Sequence, residues 1–155
     1  TRLYTGATGT MLNQRFRVLG RVRYGFERGF WDEWYLEVPD GRTAWLTEDD
    51  HELALESEAE DVEVGGFDRY PPGRRFVVDD VLFVVEEAGQ ARCLGIEGQL
   101  PTTILPDETY PYVDASSADG RYTLAIEFDD DPPTVFRGRW VNPKRVSLDD
   151  EGLEW

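Results

Sequence analysis

The sequence predicts an all-β protein built from antiparallel meanders that form a sandwich or two small barrel-like lobes. Apolar and polar residues alternate with a period of two over most of the chain, whereas the i, i+3, i+4, i+7 spacing of amphipathic helices is hard to find. Aromatic and β-branched residues recur in short runs separated by Gly, Pro and Asp clusters, which is typical of strands joined by turns.

The first meander is predicted over residues 10–64. It begins with a strand over residues 15–26, in which apolar residues alternate mainly with arginines, so that one face is apolar and the other is largely cationic. A turn then leads into a second strand over residues 31–38. Two further strands are expected, one around Trp45-Leu46 and one over residues 51–56.

The faces of the first two strands predict how they pair. Setting Val22 opposite Trp34 joins apolar side chains on one face. The same register sets Arg23 opposite Glu33 on the polar face. A slip of one residue would mix the two faces, so the pattern favours this register.

The second meander is predicted over residues 73–148, after a connection that begins with an acidic stretch over residues 56–63. Its first long strand covers residues 81–87. We expect Ala88-Gly89 to turn the chain there into another strand over residues 91–97. The whole chain is thus one all-β unit of one or two lobes.

The second meander ends in three more predicted strands, over residues 110–117, 121–128 and 134–141. Asp119-Gly120 is a strong signal for a two-residue hairpin turn of type I′, and as the turn it sets Val113 opposite Ile126. The next loop is expected to bring two further pairs together, Ile126 with Phe136 and Tyr122 with Trp140. The opposite face then collects two acidic and two basic residues, Asp114, Glu127, Arg137 and Arg139. An acidic tail follows over residues 149–155.

The charge balance excludes several classes of function. Asp and Glu total 32 against 16 Lys and Arg, which gives a net charge of -16. Such a surface repels phosphate backbones and anionic lipids, so nucleic-acid binding is not expected. The sequence has no apolar run long enough for a membrane span and no signal-peptide layout, and its one cysteine suits a reducing compartment, so we expect a cytoplasmic protein.

An ordered set of short motifs runs through both halves of the chain. They are GRVRY at residues 20–24, WDEWYL at 31–36, Gly41, Trp45-Leu46, EGQLP at 97–101, Asp114, Ile126-Glu127 and Gly138. Together they resemble a bacterial family of domains of unknown function, family 4178, over residues 6–141. The resemblance implies an uncharacterised β-rich domain with no established activity, and it marks four positions for testing, Glu33, Glu97, Asp114 and Glu127.

The first candidate patch consists of Trp31, Glu33 and Tyr35. In one interpretation the two rings stack on a cationic group while Glu33 supplies negative charge, which suits ammonium or guanidinium ligands. In the other, Arg23 pairs with Glu33 and Arg21 covers Tyr35, which makes this face an ordinary cross-strand ladder. The sequence favours the ladder and leaves the cage open.

The second candidate patch joins Asp114 and Glu127, with Glu97 as a third carboxylate. Paired carboxylates can act as general acid and base, because like charges push one pKa upward. They are also what a sheet uses for surface ion pairs with neighbouring arginines, here Arg137 and Arg139. Structure, ligand binding and catalysis remain as alternatives, in that order.

Other chemistries have weaker support. Asp129-Asp130-Asp131 could contribute to a calcium site, but the order of an EF-hand loop is absent, and a solvated hairpin tip is the better interpretation. No G-x-S-x-G elbow or phosphate loop occurs. Cys93 lies in an apolar run and is expected to be buried and inert. We therefore expect neither a metal nor a cofactor.

The function that the sequence favours is a non-catalytic binding or adaptor domain. Its acidic surface would recognise a basic protein segment or a small cationic ligand, polyamine-like ligands included, through charge and aromatic packing. The expected binding residues are Trp31, Glu33, Tyr35, Glu97, Asp114 and Glu127. The alternative is a hydrolase that uses carboxylates for acid-base or metal-assisted chemistry, and a third reading is that the acidic surface serves solubility alone.

Overall fold

The structure is a computed structural model that describes residues 2–150, and it confirms the all-β class. Eleven strands and three single-turn 3-10 helices form its regular structure, and none of the helices in residues 2–150 is long and apolar enough to cross a membrane. The strands are β1 (Thr8–Met11), β2 (Gln14–Phe26), β3 (Gly29–Glu37), β4 (Thr43–Asp49), β5 (Glu52–Glu58), β6 (Arg75–Val78), β7 (Val81–Gly98), β8 (Thr109–Ser117), β9 (Tyr122–Glu127), β10 (Thr134–Val141) and β11 (Ser147–Leu148).

Eight of these strands close into an antiparallel barrel. Around the barrel the order is β2, β3, β4, β5, β10, β9, β8 and β7, and the pairing of β7 with β2 closes the ring. The other strands extend the sheet, β1 and β11 beyond β2, and β6 beyond β7. Each of the two predicted meanders contributes half of the barrel, and two seams, β5 with β10 and β2 with β7, join them into one sheet.

Two large apolar cores lie on the outside of the barrel, and the first covers the strands of the first half. Trp34, Leu36 and Leu46 point outward and are almost fully buried. The N-terminal segment and the end of the described chain cover them, with Met11 and Leu148 in the same cluster. The side chains that alternate with these residues therefore point into the barrel.

The second outer core covers the strands of the second half. Val113 and Ile126 belong to it, and residues 59–70 pack across them with Phe67 among the contacts. The connection between the predicted meanders is thus a structural part of the barrel wall. Both cores leave the inner face of the barrel free for other residues.

The pairing of β2 with β3 corrects the predicted register by one residue. A bulge at Leu19 adds a residue to β2, which reverses the faces of the strand beyond it. Val22 consequently lies opposite Glu33 rather than opposite Trp34. Arg21 takes the place opposite Trp34, so the arginines that follow the bulge point outward.

The hairpin between β8 and β9 has the predicted register, with Val113 opposite Ile126 and Ala115 opposite Leu124. The turn itself is not of type I′, because only Gly120 has a positive φ among its residues. The register is correct because both strands bury their apolar residues on the same face.

Two predicted pairs between β9 and β10 are wrong by one residue, Ile126 with Phe136 and Tyr122 with Trp140. Val135 lies opposite Ile126, and Arg139 lies opposite Tyr122. The prediction matched apolar residues that in fact belong to different faces, since Phe136 points into the barrel and Ile126 points outward. Tyr122 and Trp140 therefore lie on opposite faces of the sheet.

Strand β7 runs without interruption through the predicted turn at Ala88-Gly89. Neither residue has a positive φ, and the backbone stays extended through both. The strand pairs with β8 from Phe83 to Arg92, with a register shift between Val85 and Glu87, and it pairs with β2 from Arg92 to Gly98. This one long strand therefore links the outer core of the second half to the closing seam.

Two glycines face each other at the closing seam, Gly20 of β2 and Gly98 of β7. A Cβ at Gly20 would lie 2.2 Å from the carbonyl oxygen of Gln99, and one at Gly98 would lie 2.4 Å from that of Leu19. The seam thus depends on a close backbone approach that only glycine permits.

The predicted acidic tail lies only in part within the described residues. Asp149 forms an ion pair with Arg15, with 2.6 Å between an Arg15 Nη2 atom and Asp149 Oδ2, and it also accepts a hydrogen bond from Thr8. Residues 151–155 lie outside the part of the chain that the structure describes.

Candidate functional site

The inner face of the barrel bounds a cavity of about 160 Å³. Its wall comes from strands on all sides of the barrel, and no Arg, Lys or His is found among the described residues that line it. Four carboxylates, which we call the inner carboxylates, belong to four different strands and line this cavity: Glu33 of β3, Glu56 of β5, Asp114 of β8 and Glu127 of β9.

The corrected registers explain why no arginine accompanies these carboxylates. Arg23, which the sequence paired with Glu33, instead donates from Nε and Nη2 to the two oxygens of Asp32, at 2.9 and 3.0 Å. Arg137 and Arg139 lie on the outer face of β10, and Arg137 pairs there with an aspartate of another loop. The predicted surface ladder is therefore wrong, because its carboxylates point into the barrel while its arginines point outward.

Glu33 lies at the centre of the inner carboxylates. Its Oε2 atom accepts a hydrogen bond of 2.8 Å from the indole Nε1 of Trp31, and no basic side chain pairs with it in residues 2–150. Burial raises the pKa of Glu33 to about 7, and the Trp31 hydrogen bond opposes that rise. Glu33 therefore changes charge close to neutral pH.

Glu56 is the most completely buried of the four, with 8% of its surface exposed. Thr47 donates a hydrogen bond of 2.9 Å to its Oε1 atom. Burial raises the pKa of Glu56 to about 8, and the charges of Asp114 and Glu33 add to the rise. Hence Glu56 holds a proton over much of the neutral range unless a cation lies beside it.

Asp114 lines the cavity on the inner face of the barrel, and its side chain is exposed to the solvent that enters there. It makes no hydrogen bond or ion pair with any residue of the described range. Burial raises its pKa to about 8, and the charges of Glu87 and Glu33 follow as smaller causes. A group that enters the cavity therefore meets a carboxylate with all its hydrogen-bonding positions available.

Glu127 extends the set toward the other end of the barrel. Tyr110 donates a hydrogen bond of 3.3 Å from its hydroxyl to Glu127 Oε1. Burial raises the pKa of Glu127 well above its ordinary value, and the charges of Glu33 and Asp129 add to this effect. The four inner carboxylates thus repel one another in a space that contains no compensating charge.

A buried hydroxyl without a partner lies beside them. Thr123 is 7% exposed, lines the cavity, and its Oγ1 atom has no hydrogen-bond partner among residues 2–150. Gly138 makes room for this group, because a Cβ there would lie 2.6 Å from both Thr123 Oγ1 and Glu56 Cγ. Buried polar atoms normally have partners, so an unsatisfied one at a cavity wall indicates a place for a ligand group.

Aromatic rings form much of the remaining wall. The ring of Trp31 lies 5.2 Å from that of Tyr112 and 5.6 Å from that of Tyr24, measured between centroids. Trp45 of the neighbouring strand β4 also lines the cavity, and the ring of Tyr35 packs on it with 4.9 Å between centroids. The cage predicted from Trp31 and Tyr35 is thus replaced by rings from several strands.

The cavity opens at one end through an acidic mouth. Its rim consists of Asp49, Glu52, Glu86 and Glu87. The only basic residue at this rim in the described chain is Arg28, which forms an ion pair of 3.0 Å with Glu87. Tyr112 also donates its hydroxyl to Glu87, which connects the rim to the wall beside Asp114.

A second, wider cavity of about 700 Å³ lies toward the other end of the barrel. Glu58, at the end of β5, lines this second cavity, whereas Asp49, beside the β4–β5 turn, does not. It lies against residues 101–104, and the residues it shares with the first cavity are Glu33, Trp45, Tyr110, Glu127 and Phe136. Its other acidic residues are Glu58, Glu108, Asp129 and Asp130, and no basic residue of the described chain lines it.

The structure brings most of the predicted site residues together. Trp31, Glu33, Asp114 and Glu127 share the barrel interior. Glu97 lies outside, where it accepts hydrogen bonds from Thr5 at 2.6 Å and from Arg21 at 3.3 Å.

Sequence reasoning missed Glu56 and Thr123. One signal was present, since Glu56 lies in phase with Ala54 on a predicted strand. Gly138, already part of the motif set, was a second, because it clears the space that both side chains occupy. Within residues 2–150, no group of three or more His, Cys, Asp or Glu side chains is arranged to hold a metal ion.

Comparison with known families identifies the domain but not its activity. A profile of the domain-of-unknown-function family DUF4178 matches residues 5–143. Neither the comparison with curated proteins nor the comparison with solved structures gave a significant match. Because the family match covers most of the chain, the chain belongs to the DUF4178 family of domains of unknown function.

Proposed function

We propose that this barrel is a non-catalytic binding domain that takes a small organic cation into its interior. The observation that carries this proposal is the set of four inner carboxylates, which share one cavity and have no basic partner among residues 2–150. The ligand class is the one expected from the sequence, a small cation, polyamine-like ligands included. Its proposed binding site lies inside the barrel and not on the outer acidic surface.

The cost of burying charge supports a cationic ligand. A carboxylate in a low-dielectric site is destabilised unless it is paired or protonated. Glu56 and Asp114, whose pKa values are raised to about 8, avoid part of this cost by holding protons. A bound cation would replace those protons and gain the full attraction of carboxylates that have no competing partner.

The aromatic wall favours an organic cation over a metal ion. Trp31, Trp45 and Tyr112 present ring surfaces toward the same cavity as the carboxylates. Ring faces attract ammonium and guanidinium groups and also pack against their alkyl parts. Calcium and magnesium instead prefer several oxygen ligands at once.

The enclosed position favours a small ligand over a basic protein segment. The inner carboxylates lie behind the rim that includes Asp49 and Glu52, and the first cavity has a volume of about 160 Å³. A segment of a partner would have to insert a single side chain to meet Asp114.

Calorimetry with the full chain tests this proposal directly. We expect a primary alkylammonium ion and guanidinium to bind near neutral pH, and Asp114→Asn or Glu56→Gln to weaken binding about tenfold to a hundredfold, since each removes one charge-assisted contact. Glu97→Gln is the matched control, because Glu97 is acidic but lies outside the barrel. The proposal fails if neither cation binds, or if all three variants bind alike.

One observation favours a second candidate, an acid-base hydrolase. Asp114 is reachable through the cavity and, with Glu56, has a pKa raised to about 8, as a general acid near neutral pH requires. This candidate predicts turnover of chromogenic ester or glycoside probes with a bell-shaped pH profile, and its loss in Asp114→Asn. Cation binding without turnover of either probe would contradict the hydrolase candidate and support the binding function.

A further inference from the structure

We propose that the ligand is an unbranched chain with at least two cationic groups, one held by Glu56 and Asp114 and the other by Glu33 and Glu127. This inference rests on the proposed function and adds the ligand class. The barrel would therefore select ligands by the number of their positive charges and by the distance between those charges.

The first support is the order of the carboxylates along the barrel. Asp114 pairs with Ala125, whereas Glu127 on the same strand as Ala125 pairs with Tyr112. Asp114 and Glu127 are therefore diagonal neighbours, with backbones about 7–8 Å apart. Glu33 acts on both, because its charge contributes to the raised pKa of Asp114 and to that of Glu127.

The second support is the continuity of the two cavities. The residues they share include Glu33 and Glu127, so these carboxylates form a waist between the first cavity and the second. Glu56 and Asp114 line only the first cavity. An elongated ligand can thus place one group at the inner pair and extend through the waist.

The third support is the charge count. The two inner pairs are not compensated by any basic residue that lines either cavity in the described chain. One bound monocation would leave carboxylates buried with like charges and force them to keep their protons. Two cationic groups on one molecule supply one positive charge to each pair, so each pair needs only one retained proton and both are satisfied in one binding event.

Apart from the charged groups, the unpartnered Thr123 hydroxyl and the apolar wall indicate what else the ligand carries. Thr123 Oγ1 lies in the first cavity and can accept a hydrogen bond from an ammonium group held there. Between the carboxylates the wall contains Ala125, Trp45 and Phe136. Such an apolar surface packs well against a methylene chain. It offers no hydrogen bonds to replace the water molecules around a compact dication.

The test compares three probes on the native full chain by calorimetry: a series of α,ω-diamines of increasing length, monoamines of matched length, and Mg²⁺. We expect the best diamine to bind at least about tenfold more tightly than the monoamine of the same length, with an optimum length in the series. Mg²⁺ carries the same charge as a diamine and should compete poorly.

Variants then test whether the pair that contains Asp114 holds one end of the diamine. In Asp114→Asn the advantage of the diamine over the monoamine should fall several-fold, while Glu97→Gln should retain it, with circular dichroism used to confirm that both variants are folded. Equal affinity for diamine and monoamine, or equal competition by Mg²⁺, would overturn this inference and leave the proposed function standing. Failure of every organic cation to bind would overturn both.

Discussion

The outer and inner faces of the same sheet treat acidic side chains in opposite ways. On the outside, Asp149 accepts hydrogen bonds from Arg15 and Thr8, and these bonds hold its pKa well below the ordinary value. On the inside, Asp114 has no such partner, and burial raises its pKa to about 8. Net charge alone does not describe this protein, because the arginines are distributed almost entirely to one face.

A one-residue register determines that distribution. Beyond the bulge at Leu19, Arg23 points outward and pairs with the buried Asp32. Without the bulge, the register that pairs Val18 with Leu36 would continue to Arg21 opposite Glu33 and place an arginine beside that carboxylate. A buried carboxylate therefore stabilises the fold where the register places an arginine beside it. Where the register places none, the carboxylate is available to bind a ligand.

The largest expected effect comes from breaking the outer pairing. Arg23→Met should lower the free energy of unfolding by about 2–4 kcal/mol, because it leaves Asp32, which is 4% exposed, buried without a partner. Arg21→Met is the control, since Arg21 pairs with the exposed Glu97 and should cost less than about 1 kcal/mol. Urea denaturation of both variants measures the difference, and equal losses would contradict the contrast drawn between the two faces.

Filling the inner face should have a smaller effect on stability and a clear effect on binding. Gly138→Ala should cost about 1–3 kcal/mol, because its Cβ would lie within 2.6 Å of Glu56 Cγ and Thr123 Oγ1. Gly95→Ala, where a Cβ meets nothing within 4 Å, is the matched control. Thermal unfolding and calorimetry with a diamine should show both losses in Gly138→Ala and neither in Gly95→Ala. A fully stable Gly138→Ala protein that binds normally would contradict the geometry of this wall.

The third expected effect, similar in size to that of Gly138→Ala, is a reversed dependence of stability on pH. Glu56 has a folded-state pKa of about 8 against 4.5 for the unfolded chain, so the folded state binds more protons between these values. The free energy of unfolding should therefore fall, by about 1–3 kcal/mol, as pH rises from 5 to 8.

The control for this pH dependence is Glu56→Gln, which removes one titrating group and should reduce the slope, while the raised pKa values of Asp114 and Glu33 maintain the rest of it. Denaturation at a series of pH values measures it. A native stability that rises over this interval would show that the inner carboxylates ionise normally, and it would remove the contrast between the faces.

The strand pattern and one hairpin register could be predicted from the sequence, because period-two alternation is local. Val113 meets Ile126 because both strands bury their apolar residues on one face, although the turn between them is not of type I′. Bulges have no comparable local signature, so the shift at Leu19 was invisible. The continuity of β7 through Gly89 was equally hidden, since a glycine in a strand looks like a turn.

The candidate site could be predicted as a set of residues but not as a place. Glu33, Asp114 and Glu127 were recognised because acidic residues alternate with apolar ones on their strands. Whether a polar face looks toward solvent or into a barrel does not alter that alternation, so the sequence could not distinguish the two. Closure of the sheet, which depends on pairing between β2 and β7, decides it.

The facing glycines of the closing seam give that closure a chemical consequence. Gly20 and Gly98 are distant in the chain, so joining them costs chain entropy, and we expect this seam to close late in folding. Until they meet, water reaches Glu33, Glu56, Asp114 and Glu127, which then ionise as ordinary acids. We therefore expect the chain to take up protons from a neutral buffer as the barrel closes. A pH-indicator dye can follow this uptake and so measure the rate of barrel closure.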